Sequence, residues 1–187
     1  MVFQMFFNIL CIKRNGCTYK TLPKIRGKVF IDATHSHKIH FGSNVVINSG
    51  FVALPLGIEA KTAFISDGGD IYIGDDVGIS NSVFYSKTSI CIGKNTKIGN
   101  GCKFYDTDFH SLYYIDRRLA STDKTNTISK PIKIGEDVFI GAGTIVLKGV
   151  QIGDRAIVGA GALVTKNIGE NEIWAGNPAK LIRRNDR

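Results

Sequence analysis

The sequence predicts an all-β fold, a parallel β-helix wound in three-sided coils, and three observations predict it. Branched aliphatic residues recur at every sixth position through much of the 187-residue chain. A glycine directly follows many of them. One stretch, "KFYDTDFHSLYY" and the residues after it, breaks that beat with two carboxylates, a histidine and several aromatic side chains. A period of six fits neither the 3.6 of an α-helix nor the 2 of an alternating strand. It is the signature of a hexapeptide β-helix.

Residues 1–24 form a separate N-terminal segment. "MVFQMFFNILCIKR" is apolar but too short to span a bilayer. It lacks the charged start and small-residue cleavage site of a secretory signal. It predicts a short helix that either packs on the body or lies against a membrane surface.

The β-helix domain is predicted over residues 25–184, with a loop at 110–127 and a tail at 185–187. Phe41, Ile47 and Ala53 keep the beat, with Gly42 behind the first. Ile73 and Ile79 keep it with Gly74; Ile92, Ile98 and Phe104 keep it with Gly93 and Gly99. The register breaks between Ala53 and Ile73, which predicts a bulge or loop, and one extra residue slips in between Tyr85 and Cys91. The cleanest run is Ile128, Ile134, Ile140, Val146, Ile152, Val158 and Val164, with Gly135, Gly141, Gly153 and Gly159. A second small or apolar series follows four residues later: Ile132, Val138, Thr144, Val150, Ala156, Ala162 and Ile168. Each step makes one short strand and one corner. The aliphatic side chain points inward and stacks on its counterpart one coil on, and glycine turns corners where a Cβ would clash. Stacked coils pair their backbones with one another, so free edges remain only at the two ends.

Composition narrows the function. At 43% hydrophobic and 21% charged, with 21 glycines and 4 prolines, the chain reads as one turn-rich globular domain. The net charge of +8 gathers toward the ends, in Lys13, Arg14, Lys20, Lys24, Arg26 and Lys28, then Lys180, Arg183, Arg184 and Arg187. There is no unbroken Lys/Arg run and no interleaving of cations with aromatics, which argues against nucleic acid. Cys11, Cys17, Cys91 and Cys102 show no metal-type spacing and read as small hydrophobes in a reducing compartment. A cytoplasmic location is expected, with peripheral contact to the inner face of a membrane left open.

The beat stops at a histidine. Carried through Phe104, the next aliphatic slot falls on His110 and the other inward slot on Asp108. A charged pair among isoleucines costs several kcal/mol without partners. The expectation is that the chain leaves the prism here and turns His110 to solvent. "SLYYIDRRLASTDKTNTISKP" then runs without a hexad, and long insertions in compact domains are usually functional. Asp108, two residues back on an extended segment, faces the same side as His110 and is the first choice to orient its ring; Asp106 is the second.

"IGEDVFIGAGTIVLKGVQIGDRAIVGAGALVTKNI" followed by "AGNPAKLIRR" resembles the hexapeptide-repeat acyltransferases with a left-handed parallel β-helix. Within them it is most similar to the O-acetyltransferases of sugars and surface polysaccharides, of the maltose, galactoside and capsule type. The resemblance covers roughly residues 25 to 184, and its C-terminal motifs are the specific ones. It implies the left-handed turn, acetyl-CoA as acyl donor, no metal, a saccharide acceptor and a homotrimer with sites between subunits. It implies that His110 is the general base, a role worth roughly 10²–10⁴-fold in rate. It places the oxyanion donor at the backbone N–H of Ala142, a contribution on the order of 10²–10³. It assigns the donor groove to Gly141, Ala142, Gly159 and Ala160, with Thr165, Lys166, Pro178, Lys180 and Arg183 toward the nucleotide end and Trp174 before the Pro178 turn. It assigns Asn81 to the acceptor, and Phe139 to the thioester arm near it.

Three alternatives stand beside this. One is an acetyltransferase with a small xenobiotic or other non-sugar acceptor. Another is a non-catalytic β-helix scaffold, which explains the repeat but not His110, the loop or the "GNPAK" ending. The third is a metal site at His35, His37 and His40, which sit in one early coil rather than spread across several.

Overall fold

The computed structural model describes residues 2–34, 38–50 and 61–185. The chain winds as a triangular parallel β-helix with two six-stranded faces and one eight-stranded face. The first face stacks Thr18–Tyr19, Ile39–Phe41, Asp70–Ile73, Ser89–Ile92, Ile132–Ile134 and Gln151–Ile152. The second begins at Lys24–Gly27 and runs through Val46–Ser49, Gly78–Ser80, Lys97–Ile98, Phe139–Ile140 and Ile157–Val158 to Glu172–Ala175 and Lys180–Arg184. The third carries Phe30–Thr34, Ala63–Asp67, Val83–Ser86, Lys103–Tyr105, Ile145–Leu147 and Leu163–Val164. Among the described residues, successive strands of a face pair in parallel, except the last pair, Glu172–Ala175 with Lys180–Arg184, which is antiparallel.

Register explains the beat. Ile73, Ile92, Ile134 and Ile152 lie directly across from one another down the first face. Ile47, Ile79, Ile98, Ile140 and Val158 do so down the second. All of them are buried. On the third face Phe64, Phe84 and Phe104 stack with centroids 5.0 and 4.7 Å apart and nearly parallel rings. Side-by-side rings of this kind add to the gain from burial alone.

Ile128 does not belong to this column. It is 41% exposed, and its carbonyl accepts from the Asp108 N–H at 3.0 Å outside the prism. The loop returns there, so the inward run begins at Ile132 and Ile134. The position of Ala53 lies outside the described residues.

The corners between the first and second faces use a device the aliphatic beat does not announce. Asn44, Asp76, Asn95, Asp137, Arg155 and Asn171 sit one per coil with φ between 56° and 60°. Asn and Asp tolerate this left-handed conformation better than other non-glycine residues. Each of the last five donates its N–H to the corner of the preceding coil, from Asp76 to Ser43 at 2.8 Å through Asn171 to Asp154 at 3.0 Å.

Both ends are capped. Helix α1 (Val2–Arg14) covers the first coil. Its Ile12 is buried, its Asn8 donates to the Gly27 carbonyl at 2.9 Å, and Asn8 Oδ1 accepts from the Val29 N–H at 3.2 Å. At the other end the chain turns at a cis Asn177–Pro178 peptide and comes back as the exposed strand Lys180–Arg184 rather than a helix. No helix among the described residues is long and apolar enough to cross a membrane.

Candidate active site

The insertion leaves the prism at one corner, between the third and first faces. Asp106, not His110, is the last inward residue, and it is fully buried. Its carboxylate accepts from Ser86 Oγ (3.1 Å), the Lys87 N–H (2.7 Å), the Thr88 N–H (2.8 Å) and Thr88 Oγ1 (2.8 Å). Such a set satisfies a buried carboxylate and ties one corner to the coil before it. Asp106 therefore does not orient His110.

Thr107 and Ser129 then close the neck of the loop as an antiparallel bridge, with Ser129 Oγ donating to Thr107 Oγ1 at 2.8 Å. Phe109 follows with φ 63°, unusual for a bulky side chain. Its ring packs on Tyr85 and Tyr105, with centroids 4.8 and 5.3 Å away. That packing holds a backbone kink costing roughly 1–3 kcal/mol. The kink throws the next residue outward, and the His110 side chain is 68% exposed.

The partner of His110 comes from within the loop. Helix α2 (Ala120–Asn126) presents Asp123, whose Oδ2 lies 2.6 Å from His110 Nδ1 while its Oδ1 accepts the Ser111 N–H at 2.7 Å. The hydrogen bond from His110, then that from Ser111, holds the Asp123 carboxyl below the usual carboxylate range. With Asp123 ionised, Nδ1 carries the proton and donates it to the carboxylate, which leaves Nε2 as the basic nitrogen. Buried Ser111 secures the arrangement: its Oγ donates to Asp116 at 2.8 Å, and Arg117 donates to its carbonyl at 2.6 Å.

Asp108 faces elsewhere. Its Oδ1 pairs with Lys148 Nζ at 2.6 Å, across the neck on the following coil. The twist of Phe109 breaks the extended run that would have put Asp108 and His110 on one side. The carboxylate on His110 is Asp123, which sequence spacing did not single out.

Asn81 is also reassigned. It is buried, with φ 43°. Its N–H donates to the Asn48 carbonyl (2.9 Å), its Oδ1 accepts from the Gly50 N–H (2.7 Å), and its Nδ2 donates to Asn100 Oδ1 (2.8 Å). Both polar atoms of its side chain are hydrogen-bonded inside a buried corner, which fits a structural role.

The remaining residues are spread over the other parts of the prism wall and its C-terminal end. Gly141, Ala142, Gly159 and Ala160 stack along the corner between the second and third faces. A Cβ on Gly141 would stand 2.5 Å from the Ala160 nitrogen, so only glycine lets these coils approach. Ala142 is exposed, and among the described residues its N–H donates to no carbonyl while its own carbonyl accepts from Gly161 at 2.8 Å. The tail crosses this end of the prism, with Leu163 donating to Gly176 and Ala179 to Leu163. That brings exposed Pro178 and Lys180 to it; Arg183 lies further along the same strand. Thr165 and Lys166 are exposed on the other corner, where the loop departs. Phe139 is half exposed on the second face, and Trp174 packs on the end of the core with its indole N–H donated to Glu172 at 2.8 Å. Within one chain, His110 and Ala142 thus come from different corners.

A cleft of about 460 Å³ lies under the loop, lined by Tyr85, Lys87, Phe109, Asp123 and Lys124 among others. A larger one, about 530 Å³, lies on the first face around His40 and Tyr72, away from His110 and Ala142. His40 is stacked on Tyr72 at 4.6 Å and hydrogen-bonded to Thr18 at 2.6 Å, while His35 and His37 lie outside the described residues. The four cysteines are free thiols, and burial pushes the Cys17 and Cys102 thiols up to about 11.

Residues 131–166 match the family model of the bacterial transferase hexapeptide, six repeats. Over 125 residues the chain is 37% identical to a candidate acetyltransferase of Dictyostelium discoideum, covering 65% of this chain and 62% of that one. The chain spans about three fifths of the length of the curated relatives it matches. A mutant of the N-acyltransferase AntD from Bacillus cereus, in complex with dTDP-4-amino-4,6-dideoxyglucose and coenzyme A, superposes with a TM-score of 0.72 at 21% identity, over 94% of this chain and 88% of that one. A maltose O-acetyltransferase from Clostridium difficile superposes with a TM-score of 0.57 at 22% identity, over 99% and 89%. At these identities the two structures establish the fold, the left-handed parallel β-helix of hexapeptide transferases.

Proposed function

We propose that this hexapeptide-repeat protein transfers an acetyl group from acetyl-CoA to a hydroxyl of a sugar or surface-polysaccharide precursor, with His110 as the general base. The observation that carries the reading is the His110–Asp123 pair, an imidazole held at Nδ1 with the rest of its ring in solvent. Nε2 takes the proton of the acceptor hydroxyl as that oxygen attacks the thioester carbonyl. The tetrahedral oxyanion is met by the N–H of Ala142. Its collapse re-forms the carbonyl and expels the thiolate of coenzyme A, which takes the proton back from the imidazolium. Asp123 stabilises the imidazolium while it exists.

A homotrimer completes the site. His110 and Ala142 leave one prism at different corners, so the base of one subunit faces the donor groove of the next. The loop supports this by exposing Leu112, Tyr113, Tyr114, Ile115 and Leu119, an apolar tip in want of a neighbour. The acetyl-CoA arm runs along Gly141, Ala142, Gly159 and Ala160, with Phe139 beside its thioester end. Pro178, Lys180 and Arg183 receive its nucleotide end, and Thr165 and Lys166, at the corner of His110, reach it from the next subunit. The AntD complex and the maltose enzyme, as described, support a coenzyme A donor and a sugar acceptor respectively.

The test is release of free thiol from acetyl-CoA over a panel of sugars, an amino-sugar nucleotide and non-sugar alcohols. Millimolar acetyl-CoA should also raise the melting temperature, less so at high salt. A melting curve unmoved by acetyl-CoA, with no thiol released, returns the protein to a scaffold.

A further inference from the structure

Helix α1 uses only one side to close the prism. Asn8 and Ile12 face the first coil. Phe3, Phe6, Phe7 and Leu10 recur at the spacing of a helical stripe and face away; Phe3 is 78%, Phe6 67% and Leu10 64% exposed, and Met5 beside them is half exposed. Large apolar side chains gathered on one exposed face mark an interaction surface.

The charge around that face has one sign. Lys13 and Arg14 end the helix, which contains no carboxylate. Lys28 Nζ stands 5.8 and 5.3 Å from the ring centroids of Phe3 and Phe7. Lys24 and Arg26 follow on the adjacent strand, while Lys20 is drawn off to Asp75 at 2.9 Å. The first carboxylate in the sequence is Asp32.

We infer that this end of the prism docks on an anionic lipid surface, with the stripe of Phe3, Phe6, Phe7 and Leu10 entering the headgroup boundary and Lys13, Arg14 and Lys28 contacting phosphates. A convex helix with aromatic and leucyl side chains on one face suits the interfacial layer. Juxtaposed cations add attraction to anionic headgroups. A second copy of the chain fits less well, because a two-fold contact would set the same cations against each other. In the three-fold assembly proposed above, three such helices point the same way and bind one surface together. The docking itself requires neither the trimer nor acetyl transfer.

Flotation of the full chain with vesicles decides it. The protein should rise with phosphatidylcholine vesicles containing phosphatidylglycerol, less at about 0.5 M salt than at low salt, and little with phosphatidylcholine alone. Phe6→Asp with Leu10→Asp should abolish flotation while leaving the melting temperature unchanged, since both side chains are exposed. Lys13→Glu with Arg14→Glu should lower the partition coefficient roughly 30-fold or more, and this pair carries the test if the first variant fails to fold. A wild-type protein that stays down with anionic vesicles overturns the inference. So do surface variants that float like wild type, or a doubling of mass in solution that Phe6→Asp with Leu10→Asp removes, which would make a second copy the occupant. Flotation without turnover, or turnover without flotation, separates this inference from the proposed reaction.

Discussion

His110 Nδ1 and Asp123 Oδ2 stand 2.6 Å apart, although thirteen positions separate them in the sequence. One residue lies at the root of the loop and the other on the short helix α2 near its end. The pair therefore fixes the ring's tautomer and pins the loop to itself.

Replacing Asp123 should disturb chemistry more than folding. Asp123→Asn should lower kcat on the order of 10²-fold, a share of what a positioned base contributes. The KM for acetyl-CoA and the melting temperature should stay near wild type, and Asp123→Glu should recover part of the loss. A variant with normal kcat would leave Asp123 a loop anchor only.

The same pair sets a pH dependence. The Asp123 carboxyl is held low by His110 and by the Ser111 N–H. Because its folded value is depressed, the stability it contributes is fully present above the ordinary value of roughly 3.9 and is lost as pH falls through the lowered value. Carboxyl carbon shifts of Asp123 should titrate below the unfolded value, and the loop should loosen only in that acid range. A midpoint at or above the ordinary value would contradict this.

Asn81 should behave as a structural corner. Asn81→Ala strands the Gly50 N–H and the Asn100 amide oxygen in a buried site, at a cost of roughly 1–3 kcal/mol. The melting temperature should drop while the acceptor KM of the folded protein is unchanged. A raised acceptor KM with normal stability would restore Asn81 to the acceptor site.

These cases show which parts of the molecule can be read from sequence. Ile134, Ile140, Val146, Ile152, Val158 and Val164 are all buried because a coil of fixed length imposes a period on the chain. The left-handed column of Asn44, Asp76, Asn95, Asp137, Arg155 and Asn171 recurs once per coil but at uneven spacing along the chain, so only its Asn and Asp residues carry a sequence signal. Asp123 had none. It sits in "ASTDKTN", outside the repeat, and reaches His110 only because the loop folds back on its own helix. The pairing of Asp108 with Lys148 and the buried bonds of Asn81 are not legible in sequence, because spacing places a residue along the chain but does not tell which atoms its neighbours occupy. Ile128 matched the count of six but lies past the neck of the loop, where the coil has not yet resumed. Helix α1 was legible as a helix, while its two-sided use depended on which face met the first coil.

The most direct measurement is acetyl transfer by His110→Ala, followed as thiol release with a competent acceptor and paired with a melting curve with and without acetyl-CoA. The side chain is exposed, so the fold and the stabilisation by acetyl-CoA should be retained, while turnover falls by about 10²–10⁴-fold. Turnover near that of the wild type, in a protein that still binds acetyl-CoA, would contradict the assignment of His110 as the base.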